Sequence, residues 1–131
     1  MLNKLKTIPL LDNVHVSNKD GTVLMNVDDR AARGYLCTQS LVLTIFIDTI
    51  DNLPLESVKY ITLLLAGCPE IHDYSLQLSS EGGWLCCYYD KNMTAEIMAA
   101  EIEKHLALTR YLDSILSCHK NSGQRWNDEI K

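Results

Sequence analysis

The segment 73–90, DYSLQLSSEGGWLCCYYD, decides the fold. Its first part, DYSLQLS, alternates polar and apolar residues, the signature of a half-buried strand. SEGG is a turn, and WLCCYYD returns as a second strand, so the segment reads as an antiparallel hairpin. Successive side chains of a strand point to opposite faces, which puts Trp84, Cys86 and Tyr88 on one face and Leu85, Cys87 and Tyr89 on the other. Both faces are apolar. One is expected to lie under helices, and the other under residues of the same chain or under a protein partner.

Helices flank the hairpin. Upstream, PLESVKYITLLLA starts with Pro54, suited to a first helical position, and carries Glu56 in its opening turn. Gly67 ends it and Pro69 forbids its continuation. Its apolar residues nearly encircle it, which predicts the most buried helix of the chain. Downstream, Thr94 is the expected N-cap of a helix running to about Cys118, with Met93 and Met98 spaced for a hydrophobic staple. A hairpin between two helices cannot belong to a parallel α/β array. The expected class is α+β: a mostly antiparallel sheet with two main helices.

The N-terminal third adds strands. Residues 2–11 read as a short helix or an arm. NVHV and TVLMNV flank SNKDG, where Asp20-Gly21 is a hairpin signal. DDRAARG (28–34) reads as a polar connection, and YLCTQSLVLTIFID (35–48) as one long strand or two short ones. The expected organisation is a single domain over residues 1–118. The rest, 119–131, is polar apart from Trp126 and Ile130 and reads as a mobile tail.

Composition narrows the functional classes. The 131 residues carry a net charge of -5, and no Lys/Arg cluster is present to meet phosphates, so nucleic acid and anionic membranes are poor partners. The longest apolar runs, LVLTIFI and YITLLLAG, fall short of a membrane span. MLNKLKTIPLL lacks the apolar core and cleavage site of a secretory signal. The five cysteines are an odd number, and the neighbours Cys86 and Cys87 point to opposite faces of a strand. They read as reduced, buried thiols of a soluble intracellular protein.

Catalytic chemistry finds little support. The chain has no Gly-rich phosphate loop, nucleophile elbow or HExxH, and nothing in the spacing favours a Cys–His pair. Cys86, Cys87, Cys118 and His119 assemble into a zinc set only on paper. No catalytic residue, cofactor or metal is expected. The last helix is more informative. Its apolar sector (Ile97, Met98, Ile102, Leu106, Leu108, Tyr111, Leu112, Ile115 and Leu116) spans more than half the circumference, wider than one sheet requires. A partner chain is the economical explanation, with Trp84, Tyr88, Leu108, Leu112 and Ile115 as candidate contacts. Glu101 and His105 lie one turn apart inside that sector. They read either as a rim-exposed helix pair or as a charge pair at a subunit interface, where a raised histidine pKa would favour assembly in acid.

Long runs carry a family likeness. TLLLAGCPEIHDYSLQLSSEGGWLCCYY followed by EIEKHLALT, together with IPLL near the start, ARG at 32–34 and LESVKYITLLLA, resembles the SpiC (SsaB) family of type III secretion systems of the Salmonella pathogenicity island 2 kind. The likeness runs from about Ile8 to Leu116. The tail, the DDRA loop and the vicinal cysteines are particular to this chain. The resemblance implies a small regulator in the bacterial cytoplasm, peripheral to the secretion apparatus, with no catalytic residues to transfer. Its implied partners are an SsaL/SepL-like gatekeeper and an SsaM-like small protein, and its implied role is a pH-responsive switch from translocon to effector export. The alternatives are a homodimeric class I-like secretion chaperone for one exported protein, and an effector delivered into host cells that acts on vesicle trafficking. The element order is similar to that of secretion chaperones, an analogy of fold only.

Overall fold

A computed structural model describes the backbone of residues 1–71 and 73–130, and the side chains of 1–49, 51–71 and 73–116. A short helix α1 (Leu2–Lys6) precedes four strands: β1 (Leu11–Val16), β2 (Val23–Val27), β3 (Arg30–Leu36) and β4 (Ser40–Thr49). Helix α2 (Leu55–Gly67), the hairpin β5 (Ser75–Leu78) and β6 (Gly82–Asp90), and helix α3 (Ala95–Ile130) complete the chain. The six strands form one sheet in the order β1-β2-β3-β4-β6-β5, and each neighbouring pair is antiparallel. The chain is α+β, as expected, and this layout is consistent with the secretion-chaperone likeness.

Local chemistry explains most element ends. The Ile97 amide donates to the Thr94 hydroxyl at 3.2 Å, so Thr94 caps α3 as expected. Gly21, at φ 73°, closes the first hairpin. Gly82, at φ 155°, has no room for a side chain, because a Cβ there would sit 2.1 Å from the Asp48 carbonyl oxygen.

Three expectations are corrected. DDRAARG is not a connection. Asp28 (φ 57°) and Asp29 turn the chain, and Arg30 pairs with Val27 to begin β3. The strand escapes an apolar-periodicity reading because its inward positions are Arg30, Ala32 and Gly34. Ala32 is small and Gly34 has to be, because Leu41 and Met25 fill the space beside it: a Cβ on Gly34 would lie 3.1 Å from Leu41 Cδ1. Nor is α2 the most buried helix: only Ser57, Ile61 and Leu65 are buried, while Leu55 and Leu63 are 67% and 72% exposed. Finally, α3 runs to Ile130 rather than ending near Cys118. The expectation of a mobile tail at 119–131 falls on residues whose side chains, like those of 117 and 118, lie outside the described ones.

All three helices pack on one sheet face. Beneath α1 and the first half of α3, Leu5, Val23, Met25, Leu41, Leu43 and Ile45 meet Met98, Ile102 and Leu106. Beneath α2, Ile47 and Leu85 meet Ile61, Leu65, Leu112 and Leu116. The wide apolar sector of α3 is thereby largely accounted for, since this helix touches both the sheet and α2. Arg30 anchors α3 to the sheet. Its guanidinium donates to the carbonyls of Phe46 (3.1 Å) and Ile47 (3.0 Å), where the β4 register slips, and to Asp113 of α3 at 2.6 Å. Arg110 bonds Asp28 and Asp29, a second tie between α3 and the β2–β3 turn.

Candidate docking face and a buried histidine

The sheet face away from the helices is built from cross-strand rows. Tyr35, Val42 and Tyr88 pair across β3, β4 and β6, and the next row holds Leu24, Arg33, Thr44 and Cys86. Beyond these, Phe46 pairs with Trp84 and Trp84 with Gln77. The apolar side chains of these rows belong to neither of the two cores under the helices. The first row stays open: Tyr35 is 40% exposed and Tyr88 is 67% exposed. Trp84 is instead buried by its own neighbours. The edge of Phe46 meets it at 5.1 Å, the Arg33 guanidinium lies 4.8 Å above its ring, and its indole N–H donates to Ser79 Oγ at 3.1 Å. Arg33 in turn holds both oxygens of Glu81, at 2.8 and 2.9 Å. Beside this cover lies a shallow concavity of about 590 Å³, lined by Val14, His15, Leu24, Ala31, Arg33 and Trp84, among others.

On the covered face, His105 is fully buried. Its Nε2 lies 2.7 Å from the Leu85 carbonyl oxygen, which can only accept, so Nε2 carries the proton. In the neutral ring Nδ1 then accepts the Tyr89 hydroxyl at 2.9 Å, a hydroxyl that also lies 3.4 Å from the Glu101 carbonyl oxygen. The Tyr74 ring meets the imidazole edge-on at 5.2 Å. Burial pushes the His105 pKa down to about 4, and likewise pushes Cys87 up to about 11 and Tyr74 up to about 12. The Cys87 thiol is therefore protonated near neutrality and unsuited to nucleophilic attack. Among the described residues no group of three or more His, Cys, Asp or Glu is placed to hold a metal ion. Two members of the zinc set considered above, Cys118 and His119, lie outside those residues. No helix among them is long and apolar enough to cross a membrane.

No family model matches the chain. Curated proteins do. Over 119 residues it is 39% identical to the SpiC homolog of Salmonella typhi, an alignment covering 91% of this chain and 94% of that protein. The chain belongs to the SpiC family. It is also 39% identical over 119 residues to Salmonella pathogenicity island 2 protein C of two Salmonella typhimurium strains, covering 91% of this chain and 90% of theirs.

In this SpiC-family chain the residues singled out from sequence divide sharply. Tyr88 lies exposed on the open face, whereas Trp84, two rows along the same face, sits under Arg33. Leu112 is fully buried in the chain's own core and Leu108 packs against that core, so the Leu108–Leu112–Ile115 seam serves α2 and the sheet, with Ile115 partly buried. Glu101 and His105 do not form the expected pair. Both ring nitrogens of His105 are taken by Tyr89 and Leu85, and the Glu101 carboxylate faces Lys104 at 3.3 Å. The physical reason is rotation. Residues four apart are offset by about 40° around a helix, enough to turn His105 to the sheet and leave Glu101 at the rim. Sequence reasoning missed Tyr35 and Val42 as partners of Tyr88, because strand register is a long-range property. It also missed Tyr89, the residue that sets the state of His105.

Proposed function

We propose that this chain is a non-catalytic docking subunit of a type III secretion gate in the bacterial cytoplasm. It binds a SsaL/SepL-like gatekeeper and a SsaM-like small protein, and through them controls the switch from translocon to effector export. One observation supports this reading above the others: a sheet face that, among the described residues, no helix side chain covers, carrying a cross-strand row of Tyr35, Val42 and Tyr88. Exposed aromatic side chains fixed on a rigid sheet are the usual anchors of protein interfaces, since they bury much area at little entropic cost. The family membership supplies the secretion setting. No Glu101–His105 ion pair is present to carry a pH response, and a neutral, buried His105 would loosen the fold in acid rather than tighten an interface.

Co-purification from the native operon tests the reading. Recovery of gatekeeper and small partner together with the chain is the expected result, and Tyr88→Ala should weaken that complex by about 2 kcal/mol, the range of an interface anchor. Recovery of a stable homodimer with a single secreted cargo would instead establish the chaperone reading.

A further inference from the structure

Helix α2 is apolar on two sides. Inward, Ser57, Ile61 and Leu65 are buried, and Val58 and Leu64 pack against the core beneath the helix. Outward, Leu55 is 67% exposed and Leu63 is 72% exposed, the most of any large apolar side chain among the described residues. The row of Tyr35, Val42 and Tyr88 makes no use of this surface, because the helices lie on the other side of the sheet.

The outward stripe has an internal symmetry. Residues four apart advance by about 40° around a helix, so Leu55, Lys59 and Leu63 follow one another along one side. Seven residues complete two turns to within about 20°, which lines Glu56 up with Leu63. The two leucines stand at equal distances on either side of Lys59. Glu56 and Lys59 are both exposed, and neither has an ion-pair partner among the described residues. An unmatched carboxylate and an unmatched ammonium thus sit among the exposed leucines.

Symmetry and charge together select the occupant. An antiparallel crossing of two copies at Lys59 sets Leu55 of each opposite Leu63 of the other. Glu56 then lies three residues, about 4.5 Å along the axis, from Lys59 of the second copy, within reach of a lysine side chain. The two carboxylates offset the approach of the two lysines, and the opposed helix dipoles favour the same antiparallel direction. A surface that is its own complement under a two-fold rotation is what an isologous dimer requires. A partner of another sequence gains nothing from that internal match. We propose that the outward face of α2 pairs with the same face of a second copy of this chain, through Leu55, Leu63 and reciprocal Glu56–Lys59 ion pairs. The contact is one helix wide, short of the roughly 1,200 Å² that stable complexes bury, so the dimer is weak and concentration-dependent. It leaves the Tyr35–Val42–Tyr88 row open and does not depend on the docking reading above. Nor does a dimer by itself select the chaperone reading, which a bound cargo decides.

Sedimentation of the full chain from micromolar to millimolar concentration reads the pairing. A monomer–dimer equilibrium is expected, and Leu63→Ser, an exposed position whose change spares the core, should stay monomeric throughout. Glu56→Lys and Lys59→Glu should each pair about tenfold more weakly than the wild type, because like charges then face each other across the crossing. An equimolar mixture of these two variants is the deciding arm. There a chain with two lysines meets a chain with two glutamates, and pairing should return to at least the wild-type level. A contact made within one helix cannot be rescued by mixing. A wild-type chain that remains monomeric at millimolar concentration, a dimer that Leu63→Ser leaves intact or that Tyr88→Ala breaks, or a mixture that pairs no more tightly than either variant alone would each overturn the proposal.

Discussion

Acid should destabilise this protein through His105. In the unfolded chain the imidazole protonates near 6.5; in the folded chain burial pushes it down to about 4. The sign follows directly. Above pH 6.5 both states are neutral and stability is complete; between about 6.5 and 4 only the unfolded state takes up the proton, so stability falls with falling pH. At 1.36 kcal/mol per tenfold change, the full effect is about 3 kcal/mol, of which about 2 kcal/mol is lost between pH 7.5 and pH 5. Burial keeps the phenols and the thiol near the ring clear of this window. Tyr74, Cys87 and Tyr89 are all pushed upward by burial. Asp20 and Asp29 are held below the usual carboxylate value of 3.8 by hydrogen bonds from Thr22 and from Arg110, respectively, so they lose their contribution only in stronger acid. The assay is urea unfolding of the wild type and of His105→Gln at both pH values. The variant should be less stable at pH 7.5, because Tyr89 and Leu85 lose a shaped partner. It should nevertheless lose about 2 kcal/mol less than the wild type on acidification. Equal acid losses in the two proteins would refute the assignment of a neutral, doubly bonded imidazole.

Other substitutions probe the scaffold. Arg30→Met leaves the Phe46 and Ile47 carbonyls and Asp113 without their shared donor, and should cost about 2–4 kcal/mol, read as a lower urea midpoint at unchanged slope. Gly82→Ala places a methyl group against the Asp48 carbonyl oxygen at a φ reserved for glycine, and should lower stability by more than ~1 kcal/mol in thermal unfolding. Leu112→Ala and Tyr88→Ala should separate core from surface. The first should cost about 2–5 kcal/mol of folding stability. The second should stay within roughly 0.5 kcal/mol on folding while weakening partner capture.

What could be read from the sequence was local. The 73–90 hairpin, the Gly67–Pro69 stop of α2 and the Thr94 cap are each set by a few neighbouring residues, and the structure places all three where the chain text puts them. What escaped was settled at a distance. Strand β3 hides behind Ala32 and Gly34, small where Met25 and Leu41 fill the space, and behind Arg30, whose guanidinium is taken by two β4 carbonyls and Asp113; a hydrophobicity pattern registers none of the three. The near-complete apolar ring of α2 says that the helix is greasy, not which of its sides meets the protein, and Leu55 and Leu63 end on the outside. The candidate site suffered in the same way. Tyr88 was legible as an aromatic on an apolar strand, but its neighbours Tyr35 and Val42 come from β3 and β4. His105 was legible as an ionisable residue on an apolar stripe, but Tyr89 and the Leu85 carbonyl, which fix its protonation, lie 16 and 20 residues away.

The division of the sheet has a consequence for assembly. Stability is concentrated on the helix-covered face, where Leu43, Ile45, Leu85 and Leu112 are fully buried. The opposite face contributes little to that core, so covering it need not disturb it. The two proposed surfaces also lie on opposite sides of the sheet. Tyr35, Val42 and Tyr88 belong to its open face, while Leu55, Lys59 and Leu63 belong to a helix that covers the other. A partner over the row and a second copy along α2 would therefore use different atoms, and the chain could hold both at once. For a subunit proposed to bridge a gatekeeper and a small protein, that separation permits two such complexes to join through α2 without competition for one site. Leu63→Ser should then split the joined assembly and leave the partners of each copy bound; loss of the partners together with the pairing would show that the surfaces are not independent.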